Sequence, residues 1–396
     1  MTHFFSNRNL WILFLAQFIA TSGATQSATL GGILGDQFAL NKVLATLPQA
    51  FHIVGIAAFT IPAALVMRRA GRPRGFSGSA VLALASQLLA VVAIFRGSFW
   101  LFTAAFILLG LSNAFAQQLR FAATEAVDPA HAGRAVSFVL LGAVGGAMLG
   151  PFLASHGVHW IPAIPYAGGF AVQALMFLLL VALYLTLTPA PTLSPAADIA
   201  ATKKRSVSGL VRQPLFMVAV LAGVTSYAVM SLLMTATPIS MHIIDGFTLE
   251  QTAGVIRAHV ISMYLPSLVS GLLVDRFGIG KMMALGLLAM AGCIGIALNG
   301  HEYLHYWWAL VLLGVGWNFL FVGGTTLLTR TYRPHERYTA QAINEFSVFG
   351  MAAIAALMAG VFIQMFDWNT AVWATVPLLL VLTLSLLLVR KHAQLH

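Results

Sequence analysis

Cysteine is almost absent from this 396-residue chain, where Cys293 stands alone. A lone thiol excludes an intramolecular disulfide and any metal site built only from cysteine. Charge is scarce too, at 8% of residues, whereas a soluble domain carries about 25%. A water-facing surface cannot be built from so few charges, so most of the surface must meet lipid. Acidic residues are the rarer sign, 11 against 21 Lys and Arg, for a net charge of +10. No nucleophile–base pair, phosphate loop or carboxylate dyad is present, which argues against an enzyme. No cleavable leader is expected either. Leu10 to Gly32 is too long for the apolar core of a secretory signal and lacks a cleavage-like tail.

Hydrophobic residues make up 59% of the chain, and 35 glycines suit helices packed closely in a membrane. Apolar runs of about 20 residues, the length that crosses a bilayer, fall near 10–32, 44–67, 76–95, 99–119, 135–155 and 166–188. Six more fall near 214–241, 253–274, 281–298, 306–329, 339–364 and 370–389. Between the two sets lies a Pro-rich basic stretch with Pro189, Pro191, Pro195, Lys203, Lys204 and Arg205, which reads as a flexible cytoplasmic linker. The expected organisation is a six-helix bundle at 1–188, a linker at 189–213 and a second six-helix bundle at 214–396.

Lys and Arg set the orientation. With the N-terminus inside, Arg8, Arg68, Arg69, Arg72, Arg74, Arg120, Arg134, the linker, Arg276, Lys281, Arg330, Arg333, Arg337, Arg390 and Lys391 are all cytoplasmic. Only Lys42, Arg96 and Arg257 fall outside. Both termini are therefore expected in the cytoplasm, and the positive charge is a topology device, not a nucleic-acid patch.

The halves echo each other. Leu109-Gly110, followed by Asn113 and Phe115, has a counterpart in Leu313-Gly314, followed by Asn318 and Phe319. The basic loop at Arg68–Arg74 corresponds to that at Asp275–Lys281. Repeated halves around a long linker suit a carrier that binds its cargo between them at mid-membrane. Gly271, Asp275, Arg276, Gly278 and Lys281 resemble the Gly-x-x-x-Asp-Arg-x-Gly loop of the major facilitator superfamily. The first-half copy has Arg68 where the acid belongs and keeps Arg69 and Gly71. The resemblance covers the whole chain and implies an all-α membrane protein with 12 transmembrane helices in two pseudo-symmetric bundles. It also implies a gating role for Asp275 and Arg276.

Met230 and Met234 in span 7, and His259 and Met263 in span 8, are each spaced i, i+4 and so share a helix face. If span 7 turns outside into span 8, Met234 and His259 lie about 10 Å, and Met230 and Met263 about 15 Å, below the helix ends. Three thioethers and an imidazole at matched depth are soft, neutral donors that select Cu(I) over hard cations. In a chain with 15 Met and 12 His, chance alone supplies about half of one such Met pair. Met in an apolar helix is usually packing. The two motifs on consecutive spans, with an imidazole inside a membrane segment, favour a metal path.

These paired motifs resemble those of the CcoA-like copper transporters, a family within the same superfamily, and "GVIRAHVISMYLPSLVSGLLVDRFG" is similar to their span 8. The resemblance implies Met230, Met234, His259 and Met263 as ligands of transported copper. It also implies import across a bacterial inner membrane, delivery toward cytochrome oxidase assembly, and a monomer. Cytoplasmic copper chaperones or oxidase-assembly proteins follow as partners. No prosthetic group is expected, since copper is cargo. A sister branch takes up riboflavin, so an organic-solute carrier, either a riboflavin importer or a drug exporter, remains the rival reading. A non-transporting scaffold is the second rival, disfavoured by the two-fold repeat.

Met241 and His242 end span 7, and His156, His159, His301 and His305 lie in outer loops; together they read either as a copper-gathering vestibule or as solvated histidines. His52 in span 2 either lines the pathway or bonds a backbone carbonyl. Gln17, Gln26, Asn113, Gln117 and Asn318 are polar residues within spans, open to the same two readings. Gly142, Gly146, Gly150 and Pro151 read as helix packing. No carboxylate falls at the middle of a span, and Glu345 lies about two turns into span 11.

Overall fold

The computed structural model describes residues 7–127, 132–188, 207–333 and 336–390, and their regular structure is helical throughout. The first half contains α1 (Arg8–Phe38), α2 (Leu47–Ala70), α3 (Arg72–Arg96), α4 (Phe99–Ala116), α5 (Leu119–Glu125), α6 (Ala132–His156) and α7 (Ala167–Leu185). After a short α8 (Val207–Val211) come α9 (Pro214–Pro238), a π segment (Ile239–Ile244), α10 (Leu249–Tyr264) and α11 (Ser267–Phe277). The chain continues with α12 (Ile279–Ala297), α13 (Tyr303–Thr329), α14 (Arg337–Met365), α15 (Trp368–Trp373) and α16 (Val376–Val389). Among the described residues, ten segments are long and apolar enough to cross a membrane. The 31-residue α1 and the α10–α11 pair are consistent with the expected twelve. The linker expectation falls at 189–206 outside the described residues.

Side-chain caps fix several helix starts, each satisfying amide groups that a helix leaves unpaired. The Asn7 side chain accepts from the amides of Asn9 and Leu10, and Thr248 with Gln251 forms a capping box on α10. The two basic loops turn identically. Gly71 has φ +82° and Gly278 has φ +85°, a conformation open to glycine and strained for any other residue. The same residue at the same motif position makes the same turn in each half.

Span 8, expected as one helix, breaks between Tyr264 and Ser267. Pro266 has no amide hydrogen and its ring opposes a continuous helix. Asn318 repairs the break, its Nδ2 donating to the Met263 carbonyl at 2.8 Å and to Ser267 Oγ at 2.6 Å. Removing that amide with Asn318→Ala leaves a buried carbonyl unpaired. The variant is expected to lose about 1–3 kcal/mol of stability, read as a lower melting temperature in detergent.

Packing is set by glycine. A Cβ on Gly142 would lie 2.5 Å from the Phe14 carbonyl, and one on Gly150 would lie 2.8 Å from Gln26 N. Gly146 and Gly150 both meet the backbone of α1, so the stripe at i, i+4, i+8 seats α6 directly on α1. The largest buried cluster draws almost wholly on residues after Leu210, and a second runs from Leu10 to Leu187.

The extensive contacts between the halves lie away from the termini. The end of α2 distal to the termini packs on α14, where Thr46 Oγ1 faces the Leu357 carbonyl and Gln364 Nε2 donates to Asp36 Oδ1 at 3.0 Å. Lys42 pairs with the same Asp36 at 3.2 Å. α6 packs on α10, the half of span 8 distal to the termini, and α9 meets α1 where Ile239 lies under Gly32. Toward the termini the halves part around a cavity.

Candidate translocation site

Gln117 and Arg120 from the α4–α5 segment face Ala219, Gly223 and Tyr227 of α9, Phe321 and Thr325 of α13, and residues of α14 across a narrow cavity. The α14 wall is Asn344, Glu345, Val348 and Phe349. Ala219, Gly223 and Tyr227 recur every four residues, so α9 turns one face inward.

Aromatic rings form the deep wall. Tyr227 lies 5.2 Å from Trp317, 5.6 Å from Phe321 and 5.3 Å from Phe349, centroid to centroid. Trp317 and Phe321 stack at 4.9 Å with 15° between planes, and Tyr264 stands 6.3 Å from Trp317. The Trp317 indole N–H is buried and has no hydrogen-bond partner. A buried donor without an acceptor is costly. Here it lies behind the rings that line the cavity, with the indole stacked on Phe321.

The four sulfur and imidazole residues divide between two surroundings. Met230 and Met234 lie within about 60° of Tyr227 around α9, so they continue the cavity face toward the far end. Both are half-buried. His259 is fully buried and its Nδ1–H donates to the Leu310 carbonyl at 2.8 Å. That bond sets the tautomer and leaves the Nε2 lone pair free, without a partner. Met263 is buried one turn on. α10 packs chiefly on α13 and α6, α9 on α14 and α13, and the two helices meet only lightly.

His52 is the first-half counterpart of His259. It is buried, and its Nε2 lies 2.9 Å from Asn113 Nδ2, so Nε2 accepts and Nδ1 carries the hydrogen with no acceptor. It bonds a side-chain amide, not the backbone carbonyl expected as the alternative. Both histidines sit under a glycine of the neighbouring helix: Gly110 closes on the His52 carbonyl, and a Cβ on Gly314 would lie 2.6 Å from that of His259.

The outer histidines and the end of span 7 are placed as follows. Met241 is wholly buried in the π segment, and His242 is half-buried with Nδ1 2.8 Å from the Phe247 carbonyl oxygen. His156 stacks on Phe152 at 4.2 Å, and His301 lies 3.3 Å from Asp245, which accepts a 2.6 Å hydrogen bond from Tyr306. Among the described residues no three of His, Cys, Asp and Glu gather as a metal would need.

At the loop motif, Arg276 is exposed with its guanidinium 5.8 Å above the Phe277 ring; the Asp275 side chain lies outside the described residues. A contact missed in the sequence is the bidentate pair of Arg72 with Glu125, both bonds 2.5 Å, joining the start of α3 to the end of α5. Their separation of 53 residues gives no local signal.

Two repeated halves enclosing a polar-and-aromatic cavity in a lipid-facing bundle define a multi-pass membrane carrier. Residues 10–265 and 258–396 match the Major Facilitator Superfamily, and the chain belongs to it. It is 36% identical over 383 residues to the riboflavin transporter RfnT of Brucella anthropi, covering 97% of this chain and 96% of that one. It is 28% identical over 349 residues to the uncharacterized transporter YddS of Bacillus subtilis, covering 84% and 80%. Among solved structures the nucleoside transporter NupG superposes with a TM-score of 0.76 at 13% identity, covering 97% of this chain and 100% of that one. An inward-facing, unoccupied bacterial homolog of the human lysosomal transporter Spinster gives 0.72 at 13% identity, covering 97% of each. The chain is thus a secondary transporter of this superfamily, not an enzyme.

Proposed function

We propose that this transporter carries a flat heteroaromatic solute, riboflavin first among them, into the cytoplasm. The supporting observation is the aromatic cluster of Tyr227, Phe321 and Phe349 lining the cavity, with Trp317 stacked on Phe321 behind it. A tricyclic flavin offers a broad π-face for such rings. Gln117, Arg120, Thr325, Asn344 and Glu345 stand nearer the mouth, where a polyhydroxyl tail needs polar partners. The likeness to RfnT along nearly the full length of both chains supports the same cargo. In this reading the termini are cytoplasmic, the membrane is the bacterial inner membrane, and the bundles at 1–188 and 214–396 rock against each other around the cavity.

A second reading, copper as the cargo, is favoured by one feature: the free Nε2 lone pair of buried His259 beside Met263. It requires α9 to bring Met230 and Met234 to α10 during transport.

Uptake of radiolabelled riboflavin and of copper by cells carrying wild type, Tyr227→Ala, Met230→Ala or His259→Ala separates the two. The expected result is riboflavin uptake that Tyr227→Ala weakens through a raised KM and His259→Ala leaves largely in place, with copper content unchanged throughout. Copper accumulation lost in Met230→Ala and His259→Ala, with no riboflavin uptake by wild type, overturns the flavin reading in favour of the metal.

A further inference from the structure

Asn113 stands on α4 between two neighbours of different kind. Around the helix it lies about 60° from Gly110 and about 40° from Gln117. Gly110 closes on the backbone of α2 at His52, and Gln117 lines the cavity. Asn113 therefore occupies the seam between the α2 contact and the cavity face. Its Nδ2 donates to His52 Nε2 at 2.9 Å. The amide is planar and its two polar atoms point apart. With Nδ2 turned to α2, Oδ1 faces the cavity side as a hydrogen-bond acceptor. An asparagine without such a partner can rotate either atom toward a solute. A buried imidazole that accepts from Nδ2 holds one orientation, and the close approach at Gly110 holds the imidazole's helix against α4.

Depth agrees with this placement. At 1.5 Å per residue, Asn113 lies about 18 Å from the end of α5 at Glu125, and Tyr227 about 20 Å from the start of α9. Arg120 and Ala219, near those two ends, share the cavity mouth, so both depths are measured from the same side. An acceptor from the first half thus stands level with a stacking ring of the second. The internal repeat places them in the same way. Gly110 and Gly314 each close on a histidine carbonyl, and three residues on from them stand Asn113 and Trp317. One half brings a polar atom to that position, and the other brings the indole stacked on cavity-lining Phe321.

Resting on the flavin reading above, we propose that Asn113 is the specificity-determining residue for the polar edge of the solute ring, its Oδ1 accepting from a ring N–H, and that His52 is the residue that positions it. The class of solute so selected is a flat heteroaromatic ring with an unsubstituted imide or lactam N–H. The isoalloxazine ring carries one, N3–H, between two carbonyls. With its face on Tyr227 of α9, the ring turns an edge to α4. A ring alkylated at that nitrogen has no hydrogen to give. It leaves Oδ1 shut away from water with no donor, and an acceptor stranded in this way is costly.

The test measures uptake of riboflavin and of N3-methylriboflavin by the full chain in liposomes and reads the ratio of the two KM values. A residue that only braced α2 against α4 would shift both KM values together and leave the ratio alone. In wild type the methylated solute is expected to have a KM at least about fivefold higher, and Asn113→Leu to bring the two within about twofold. His52→Leu, which lets the amide rotate, is expected to lower the ratio. His52→Gln, whose Oε1 again accepts from Nδ2, is expected to restore it. A wild-type ratio in Asn113→Leu overturns the specificity role. A wild-type ratio in His52→Leu overturns the positioning role, and this pair decides the matter should Asn113→Leu fail to reach the membrane. If wild type carries riboflavin but takes both solutes alike, this inference falls and the cargo reading stands. If wild type carries no riboflavin, the cargo reading falls and this inference falls with it.

Discussion

Replacing Tyr227 by Ala is expected to raise the KM for riboflavin uptake by about 5- to 150-fold, with the protein still reaching the membrane at normal amounts. Tyr227 is the ring that touches three others, Trp317, Phe321 and Phe349, so its loss opens the wall and removes a stacking face together. Stacking of a heteroaromatic base on a protein ring is worth about 1–3 kcal/mol by alanine substitution, which sets the expected range. Tyr227→Phe keeps the ring and should stay close to wild type. Trp317→Phe keeps a ring but removes the indole N–H, and should lose about 0.5–1.5 kcal/mol of binding if that donor meets a solute acceptor. Initial rates across riboflavin concentrations, corrected for membrane protein by immunoblot, read all three. An unchanged KM in Tyr227→Ala places the binding site elsewhere in the bundle.

A large loss of stability is expected from Gly150→Ala. The added methyl would run into Thr25 Oγ1 and the Ser22 carbonyl and stand 2.8 Å from Gln26 N, all on α1. Two of these three atoms are backbone and cannot swing aside, so α6 must lift off α1 along the stripe shared with Gly142 and Gly146. Overpacking of this kind costs about 1–3 kcal/mol or more, and the variant should melt several degrees lower in detergent. Gly78→Ala is the control, since a methyl there meets nothing within 4 Å on the exposed face of α3. It should be neutral or stabilising by up to about 1 kcal/mol, because alanine favours the helix. Equal melting of the two variants would show that the α1–α6 seam has slack that the packing does not suggest.

Much of the architecture was readable before any coordinates. A run of about 20 apolar residues has little choice but to cross lipid as a helix, so the span layout follows from hydropathy alone. The matched turns at Gly71 and Gly278 were legible as a repeated loop motif, and the Gly142, Gly146 and Gly150 stripe as a packing face. Breaks within spans were less legible: Pro266 carried a signal that a hydropathy reading passes over, and the turn at Gln117–Gln118 has no proline or glycine to announce it.

The site was legible only in part. The i, i+4 spacing of Met230 with Met234, and of His259 with Met263, is a property of each helix taken singly. Which partner each helix chooses is not: α10 leans on α13 and α6, while α9 faces the cavity with Tyr227. The ring stack was missed altogether, since Tyr227, Tyr264, Trp317, Phe321 and Phe349 come from α9, α10, α13 and α14 and look like ordinary lipid-span aromatics. Arg120 and Glu345 were seen separately, as a topology charge and as a shallow carboxylate.

Sequence by itself determined that the chain is a helical membrane protein with two echoing halves, because hydropathy and local turn chemistry act within one segment at a time. Tertiary structure decided what the cavity is made of and which charges confront each other across it. Those contacts join residues on different helices, far apart in the chain, and only the packing of whole helices brings them together.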